Sequence, residues 1–207
     1  MTSRLTAKGA ATRQRIIEGA ATVIRERGVG DTTLDDIRAH TATSKSQLFH
    51  YFPGGREDLL LAVASHEAAR VLSDQQPHLG NLSSWQAWQR WRDAVVDRYR
   101  EQGPRCPLGV LTSELSRTTP GAQAVTRELL AAWQADITAG IRSMQDQGEI
   151  PASQDAERAG AALLAGIQGG VSILMATGSL THLEAALDLG IAQLRTEPSS
   201  PSVPCGT

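Results

Sequence analysis

The sequence predicts an all-α protein in which a group of short helices at the amino-terminal end precedes a longer helical region. Apolar residues recur at the three- and four-residue spacing of helices, and no segment shows the alternation of a strand. Several glycines and prolines stand between these periodic segments, where turns are expected. The 207 residues, 41% of them hydrophobic, are enough for one or two globular domains with a real core.

The first predicted helix carries an apolar stripe at positions 16, 17, 20, 23 and 24 and ends near Gly28. A hydroxyl of Thr32 or Thr33 can accept a hydrogen bond from an exposed amide and so cap a second helix. That helix is predicted to run from Leu34 to about His40. The sequence therefore begins with a long helix, a break and a short helix.

A third helix is predicted to begin after Ser44, because serine is a favourable N-cap residue. It runs to Phe49 or Tyr51, and the turn formed by residues 53–55, Pro-Gly-Gly, stops it. A longer amphipathic helix follows from about Arg56.

The rest of the chain is predicted to form longer helices and a tail. The first is expected from about Ser84 to Glu101, the second from Pro107 onward, and the third ends at Gly148. The last two are expected at Gln154 to about Thr177 and at Leu183 to Leu194. The last ten residues hold three prolines and three serines, and they are predicted to be disordered.

Charge is distributed unevenly, although the chain as a whole carries only −2. The first 30 residues hold six basic and two acidic side chains, whereas residues 61–207 hold 11 basic and 15 acidic ones. A basic amino-terminal region attracts a polyanion, but the charge alone is better explained by a solvated helix face. Only two cysteines, Cys106 and Cys205, are present and no secretory signal is found, so a cytoplasmic location is expected.

The order of the first helices is that of a helix-turn-helix, whose second short helix enters the major groove of DNA. The residues that this helix presents should be short, polar or basic, as Ser44, Lys45, Ser46 and Gln47 are. Gln47 can pair with an adenine edge, and Lys45 with a guanine or a phosphate. Leu48 and Phe49 are predicted to turn back toward the core.

This region closely resembles the DNA-binding module of TetR-family transcriptional regulators. The resemblance is carried by TLDDI at 33–37 and SKSQLFHYFPGGREDL at 44–59, and it is specific across residues 12–65. Over the rest of the chain only the succession of helices is similar. A local match, RCPLGVL at 105–111, resembles the LmrA/YxaF-like branch of the family.

The resemblance implies a homodimer whose paired recognition helices bind a palindromic double-stranded DNA operator. Expected DNA contacts, including a basic arm that can lie on phosphates, are Arg4, Lys8, Arg13, Thr33, Ser44, Lys45, Ser46, Gln47, Tyr51 and Arg56. The sequence departs from the family pattern at Ala42 and Ser46, where glycine is frequent, and at Phe49, where tyrosine is frequent. Ala42 raises the question of whether the turn needs a positive φ, and Phe49 cannot donate a hydroxyl to a phosphate.

Three domains are predicted on this basis. Residues 1–65 form the helix-turn-helix DNA-binding domain, residues 66–197 the helical effector-binding and dimerisation domain, and residues 198–207 the disordered tail.

A small, largely apolar effector is expected in the second domain. Its candidate pocket residues are Trp88, Trp91, Tyr99, Cys106, Leu111, Trp133, Ile137 and Met144. A stripe of this kind at helical spacing also describes ordinary core packing, and that alternative stays open. A redox role for Cys106 is open as well.

A second copy of the chain is expected against the segment 159–183, which contains no charged residue in 25 positions. That length could cross a bilayer, but five glycines, Gln168 and the lack of flanking aromatic residues favour a buried or dimer-facing helix. The predicted dimer contacts are Ala162, Gly166, Gly170, Leu174, Leu187 and Ile191.

An enzyme is the least supported function, and no catalytic residue, cofactor or metal site is expected. His66-Glu67 begins like a zinc-protease motif, but Arg70 stands where the second ligand is required. A DNA-binding protein without an effector remains an alternative to the ligand-responsive repressor.

Overall fold

The computed structural model describes residues 5–103 and 120–196, which form eight α-helices and no strand. The all-α prediction is confirmed. The helices are α1 (Ala7–Arg27), α2 (Leu34–Thr41), α3 (Lys45–Tyr51), α4 (Arg56–Ser73), α5 (Trp85–Gln102), α6 (Pro120–Asp146), α7 (Ala156–Thr177) and α8 (Thr181–Gln193). A short 3₁₀ turn, Leu79–Asn81, precedes α5.

The described residues divide into two compact units. The first comprises the chain up to Asp74 and the segment from Gln102 to Ala131, and the second comprises Gln75–Glu101 and the chain after Ala131. The predicted domain boundary after residue 65 falls inside α4, which runs without a break. The predicted tail at 198–207 and the helix expected from Pro107 lie outside the described residues.

In the first unit, α1 packs against α2 and α4. Its core is apolar and contains Ile16, Ile24, Leu48, Phe52 and Leu59, each at most 1% exposed. The predicted stripe of α1 is therefore buried, and α3 is held by Leu48 and Phe52. This packing fixes the position of the short helices, which are too short to be stable alone.

Side-chain caps define where α2 and α3 begin. Thr33, rather than Thr32, caps α2, and its hydroxyl accepts a hydrogen bond from the Asp36 amide at 3.2 Å. Thr32 instead donates its hydroxyl to the Gly28 carbonyl. Ser44 caps α3 as predicted, accepting from the Gln47 amide at 3.1 Å.

The turn between α2 and α3 requires a positive φ. Ala42 ends α2 with φ 48° and ψ 44°, in the left-handed region. Its amide donates to the carbonyls of Arg38 and Ala39, which closes the helix end. The position therefore has the geometry for which glycine is the usual residue.

In the second unit, α7 packs along α8. A Cβ added at Gly170 would lie 2.5 Å from the Leu183 Cα, so the missing side chain lets the two backbones approach closely. The start of α7 differs from the prediction. Its N-cap is Asp155, which accepts from the Arg158 amide, because a carboxylate at this position neutralises the positive end of the helix.

Helix α7 is also long and apolar enough to cross a membrane, with a mean hydropathy of 1.6 over its most apolar window. A single helix of this kind is weak evidence for a membrane span, because core helices of soluble proteins pass the same test. Only 39% of that window is buried in the chain, so α7 keeps an exposed apolar face.

Candidate nucleic-acid interface

The first turn of helix α3 presents four exposed polar side chains. Ser44, Lys45, Ser46 and Gln47 are all exposed, whereas the next residue, Leu48, is fully buried. The structure thus brings together the four residues predicted to face DNA at the start of this helix. Whether they contact DNA stays a prediction.

The side-chain amide of Gln47 is already engaged in a capping box. Its Oε1 accepts a hydrogen bond from the Ser44 backbone amide at 3.2 Å, while Ser44 Oγ accepts from the Gln47 backbone amide. A bidentate pair with adenine uses both the oxygen and the nitrogen of the side-chain amide. Gln47 can form that pair only by sharing or releasing its bond to Ser44. The S-x-x-Q spacing contains this signal, but Gln47 was predicted from the sequence only as a DNA contact.

Thr33 is exposed at the start of α2 and takes part in a second capping box. Its hydroxyl donates to Asp36 Oδ2 at 2.6 Å, and its backbone amide donates to the same atom at 2.9 Å. These two hydrogen bonds lower the pKa of the Asp36 carboxyl, and the nearby Arg27 lowers it further. A carboxylate therefore stands beside Thr33 at the proposed contact with phosphate.

Most arginines of the first unit have partners within the chain. Arg15 donates to the Thr41 carbonyl, and Arg56 donates to the Val29 carbonyl at 2.5 Å. The Arg13 guanidinium lies 5.2 Å from the centre of the Phe52 ring. Arg25, Arg27 and Arg38 pair with Glu67, Asp36 and Asp35.

Lys8 and Lys45 are exposed and form no ion pair within the described residues. These two lysines are therefore the cations most available to phosphates. Counting the charged residues of the sequence does not distinguish these lysines from the arginines, because each lysine and each arginine adds one positive charge. Arg4 lies outside the described residues.

The beginning of α1 lies next to the end of α3. The Tyr51 hydroxyl lies 3.6 Å from the place where a Cβ on Gly9 would stand. Gly9 follows Lys8 directly, so the basic first turn of α1 and the tyrosine are brought to one region. Lys8 and Tyr51 were each predicted to contact DNA, and the structure places the two segments that hold them side by side.

Phe49 lies on a different face of α3 from the one predicted. It was expected to turn toward the core, but its side chain is 41% exposed. Leu48 and Phe52, at 0% and 1%, occupy the buried face of α3 instead. The physical reason is helical spacing: Phe49 lies three and four residues after Ser46 and Lys45 and shares their face.

The candidate pocket residues within the described part of the chain are buried. Trp88, Trp91, Trp133, Ile137 and Met144 have no exposed surface, and Tyr99 is 6% exposed. The Trp91 indole donates to Gln75 Oε1 at 3.0 Å. Among the described residues, the indole nitrogens of Trp88 and Trp133 have no hydrogen-bond partner. Cys106 and Leu111 lie outside that part of the chain.

Two cavities of the described structure lie elsewhere in the second unit. One of about 550 Å³ lies between the start of α7 and the end of α8, where Arg158, Ala162 and Gly190 line it. The other, of about 250 Å³, lies beside Leu82 and Asp136. Within residues 5–103 and 120–196 no group of three metal-ligating side chains is found.

Four of the predicted dimer contacts are buried within one copy of the chain. Gly170, Leu174, Leu187 and Ile191 are buried, and Gly170 lies against Leu183 of α8. Gly166 also lies against α8, since a Cβ on this glycine would stand 3.2 Å from the Ala186 Cβ. Ala162 is exposed.

The exposed apolar face of this helix pair is formed by other residues. Ile173 is 36% exposed and Leu189 is 72% exposed. A Cβ on Gly169 would meet no atom within 4 Å, so this glycine faces open space. Together with Ala162 these residues form what is called below the α7–α8 outer face.

Two family models match this chain. A family model described as "Bacterial regulatory proteins, tetR family" matches residues 16–63, and one described as "Tetracyclin repressor-like, C-terminal domain" matches residues 85–189. The chain is 31% identical over 108 residues to an uncharacterized HTH-type transcriptional regulator of Mycobacterium tuberculosis, Rv0196. That match covers 49% of this chain and 52% of the relative, so the chain spans about half the length of that relative.

Two further matches extend over most of the chain. An uncharacterized HTH-type transcriptional regulator in the lacX 3' region of Lactococcus lactis is 26% identical over 188 residues, covering 86% of this chain and 90% of the relative. The crystal structure of a TetR transcriptional regulator from Chloroflexus aurantiacus has a TM-score of 0.77 at 24% identity. It covers 90% of this chain and 96% of that chain, and it shows the same fold.

Proposed function

Because the chain belongs to the TetR family of bacterial transcriptional regulators, which are DNA-binding proteins and not enzymes, we propose that it is a homodimeric repressor. It binds a palindromic operator with α3 of each copy in the major groove and is released by a small, largely apolar effector. A DNA-binding regulator of this kind acts in the cytoplasm.

The observation that carries the DNA-binding proposal is the exposed polar first turn of α3, a helix whose last residue, Tyr51, lies beside the segment that holds Lys8 at the start of α1. Ser46 and Gln47 are proposed to face base edges, and Lys45 to bind a phosphate beside them. The residues proposed to hold the DNA backbone are Arg4, Lys8, Arg13, Thr33, Ser44, Tyr51 and Arg56. Arg13 and Arg56 would do so while keeping part of their contacts to Phe52 and Val29.

The effector proposal is supported by the two indole nitrogens that lack partners among the described residues. A buried N–H without a hydrogen bond destabilises the protein, and a ligand oxygen can satisfy it. We propose that the residues near Trp88 and Trp133 separate to admit the effector. The other proposed lining residues are Trp91, Tyr99, Cys106, Leu111, Ile137 and Met144.

The experiment begins by selecting duplexes from a randomised DNA pool with the purified protein. Binding of the selected operator and of an unrelated duplex is then measured by gel shift at several salt concentrations for Lys45→Ala and Gln47→Ala. Lys45→Ala should weaken both duplexes similarly and reduce the salt slope by about 2, because the homodimer loses one phosphate contact in each half-site. Gln47→Ala should weaken the operator preferentially.

Matched controls lie in α5. Arg90→Ala removes an exposed cation, and Gln86→Ala removes an exposed amide, without touching the first unit. Both should bind as the wild type does. If no sequence is enriched, or if the α3 variants bind as the controls do, the proposal fails.

The effector is tested with a chemically broad ligand panel read by thermal shift and by operator release. Ligands that raise the melting temperature and release DNA support the repressor. Ligands that do neither support the alternative, a regulator that binds DNA without an effector.

A further inference from the structure

Phe49 is the exposed large apolar side chain of α3. Its exposed fraction is 41%, and it shares the face of the helix that carries Lys45 and Ser46. An exposed phenyl ring close to the polar first turn of α3 gains nothing from water. Its position calls for an apolar partner on the DNA.

The ring is held in place by the backbone behind it. Gly55 adopts φ 67°, and a Cβ at that glycine would lie 3.3 Å from Phe49 Cε1. The absence of a side chain at Gly55 therefore leaves room for the phenyl edge. Leu48 and Phe52, both buried, fix the helix on either side of Phe49. One edge of the ring therefore lies against the turn at residues 53–55.

The neighbouring exposed side chains are polar and do not recognise an apolar group on a base edge. Ser46 is short, and a serine hydroxyl accepts either type of base edge. The Gln47 oxygen is already engaged with the Ser44 amide at 3.2 Å. A phenyl ring cannot bind a phosphate oxygen through a hydroxyl, since it has none.

The only apolar group that the major groove displays on a base edge is the 5-methyl group of thymine. We propose that Phe49 is a specificity-determining residue that selects thymine by packing its ring against this methyl group, once in each half-site of the operator. This inference rests on the proposed DNA-binding function and adds to it the identity of one base.

The test uses the operator selected from the randomised pool, with its thymines replaced one at a time, symmetrically in both half-sites, by deoxyuridine. Uracil pairs as thymine does and lacks only the methyl group. At one thymine position, wild-type binding should fall by about threefold to tenfold, as expected for the loss of a buried methyl contact in each half-site. At the other thymines binding should be nearly unchanged.

The protein arm of the test is Phe49→Ala. This variant should bind the thymine operator more weakly and bind the thymine and uracil duplexes equally, because the ring that senses the methyl group is gone. Phe49→Leu is the matched variant, since it keeps an apolar contact and should keep part of the difference. Circular dichroism and thermal melting establish that both variants are folded.

The outcomes separate the two proposals. If no operator is selected, the DNA-binding proposal itself fails. If an operator is selected but uracil weakens binding at no position, or weakens Phe49→Ala as much as the wild type, the assignment of Phe49 is overturned while the repressor stands.

Discussion

The backbone at Ala42 answers a question that the sequence could only raise. Side chains other than glycine are strained in the left-handed region because the Cβ approaches the backbone oxygen. The chain nevertheless places alanine there, at φ 48°, as the only described non-glycine residue with positive φ. The turn between α2 and α3 therefore stores strain that glycine would relieve.

Ala42→Gly should raise the free energy of unfolding by about 1 kcal/mol. The gain is limited because glycine also increases the entropy of the unfolded chain. The control is Ala39→Gly, three residues earlier at an exposed position inside α2, which should lower the free energy of unfolding by about 1 kcal/mol. Urea denaturation of the wild type and the two variants measures both changes in the free energy of unfolding. Two changes of the same sign would contradict strain at Ala42.

At the scale of elements, α1 and α4 are joined by a nearly buried ion pair. Arg25 Nη1 lies 2.5 Å from Glu67 Oε1, and the Glu67 side chain is only 4% exposed. Its other oxygen, Oε2, has no hydrogen-bond partner among the described residues, and Arg70 is farther away, at 3.7 Å from Oε1. The buried carboxylate thus depends mainly on Arg25.

Arg25→Met should lower the free energy of unfolding by about 3 kcal/mol, because it leaves a buried carboxylate without its main partner. The double variant Arg25→Met/Glu67→Met should recover most of that loss, since an apolar pair of similar volume needs no partner. Denaturant unfolding of the wild type, both single variants and the double variant completes the cycle. Additive losses would show that the pair is not coupled.

Two adjacent glycines of α7 differ in how closely they approach α8. Gly170→Ala would place a Cβ 2.5 Å from the Leu183 Cα, so it should separate the helices and destabilise the protein by about 1–3 kcal/mol. Gly169→Ala meets no atom within 4 Å and should stabilise α7 by up to about 1 kcal/mol. Thermal melting of the two variants checks the difference in sign. Equal effects would mean that α7 and α8 do not pack as closely as described.

At the scale of the whole molecule, we expect a second copy of the chain to bind to the α7–α8 outer face. It combines a large exposed leucine, an isoleucine and small residues that allow close approach of a second helix pair. The exposed apolar surface of a helix that is only 39% buried is expected to meet another apolar surface.

Leu189→Arg should convert the dimer to a monomer, because it places a charge in the middle of this face. The fold should be unchanged, since Leu189 is 72% exposed in one copy. Gln86→Arg, which adds the same charge to an exposed position of α5, should remain dimeric. Light scattering at several concentrations decides, and a dimeric Leu189→Arg variant would place the interface elsewhere.

The helix order, the caps and the family could be predicted from the sequence. Local signals carry them: the stripe of α1, Ser44 before α3, and the Pro-Gly-Gly turn after it. The predicted end of α1 at Gly28 is found, with φ 84° at that glycine. These features depend on residues that are close in the sequence, so the periodicity and the capping residues predict them.

The direction of individual side chains could not be predicted with the same success. Phe49 was assigned to the core by its type, yet its helix exposes it because Leu48 and Phe52 already fill the buried face. Gly170 was assigned to a contact between copies, yet it lies against Leu183 of the same chain. The spacing of apolar residues shows that a helix has an apolar face. Because α7 has two such faces, the spacing does not show which face packs within the chain and which against another copy.

The sequence by itself determined the all-α fold, the helix-turn-helix and the membership of the family, because spacing and caps are local properties of the chain. Only the tertiary structure decided which arginines are engaged within the chain, which glycines permit close helix packing, and which apolar side chains remain exposed. Those outcomes depend on residues far apart in sequence, such as Arg25 with Glu67 and Gly170 with Leu183, and folding alone brings them together.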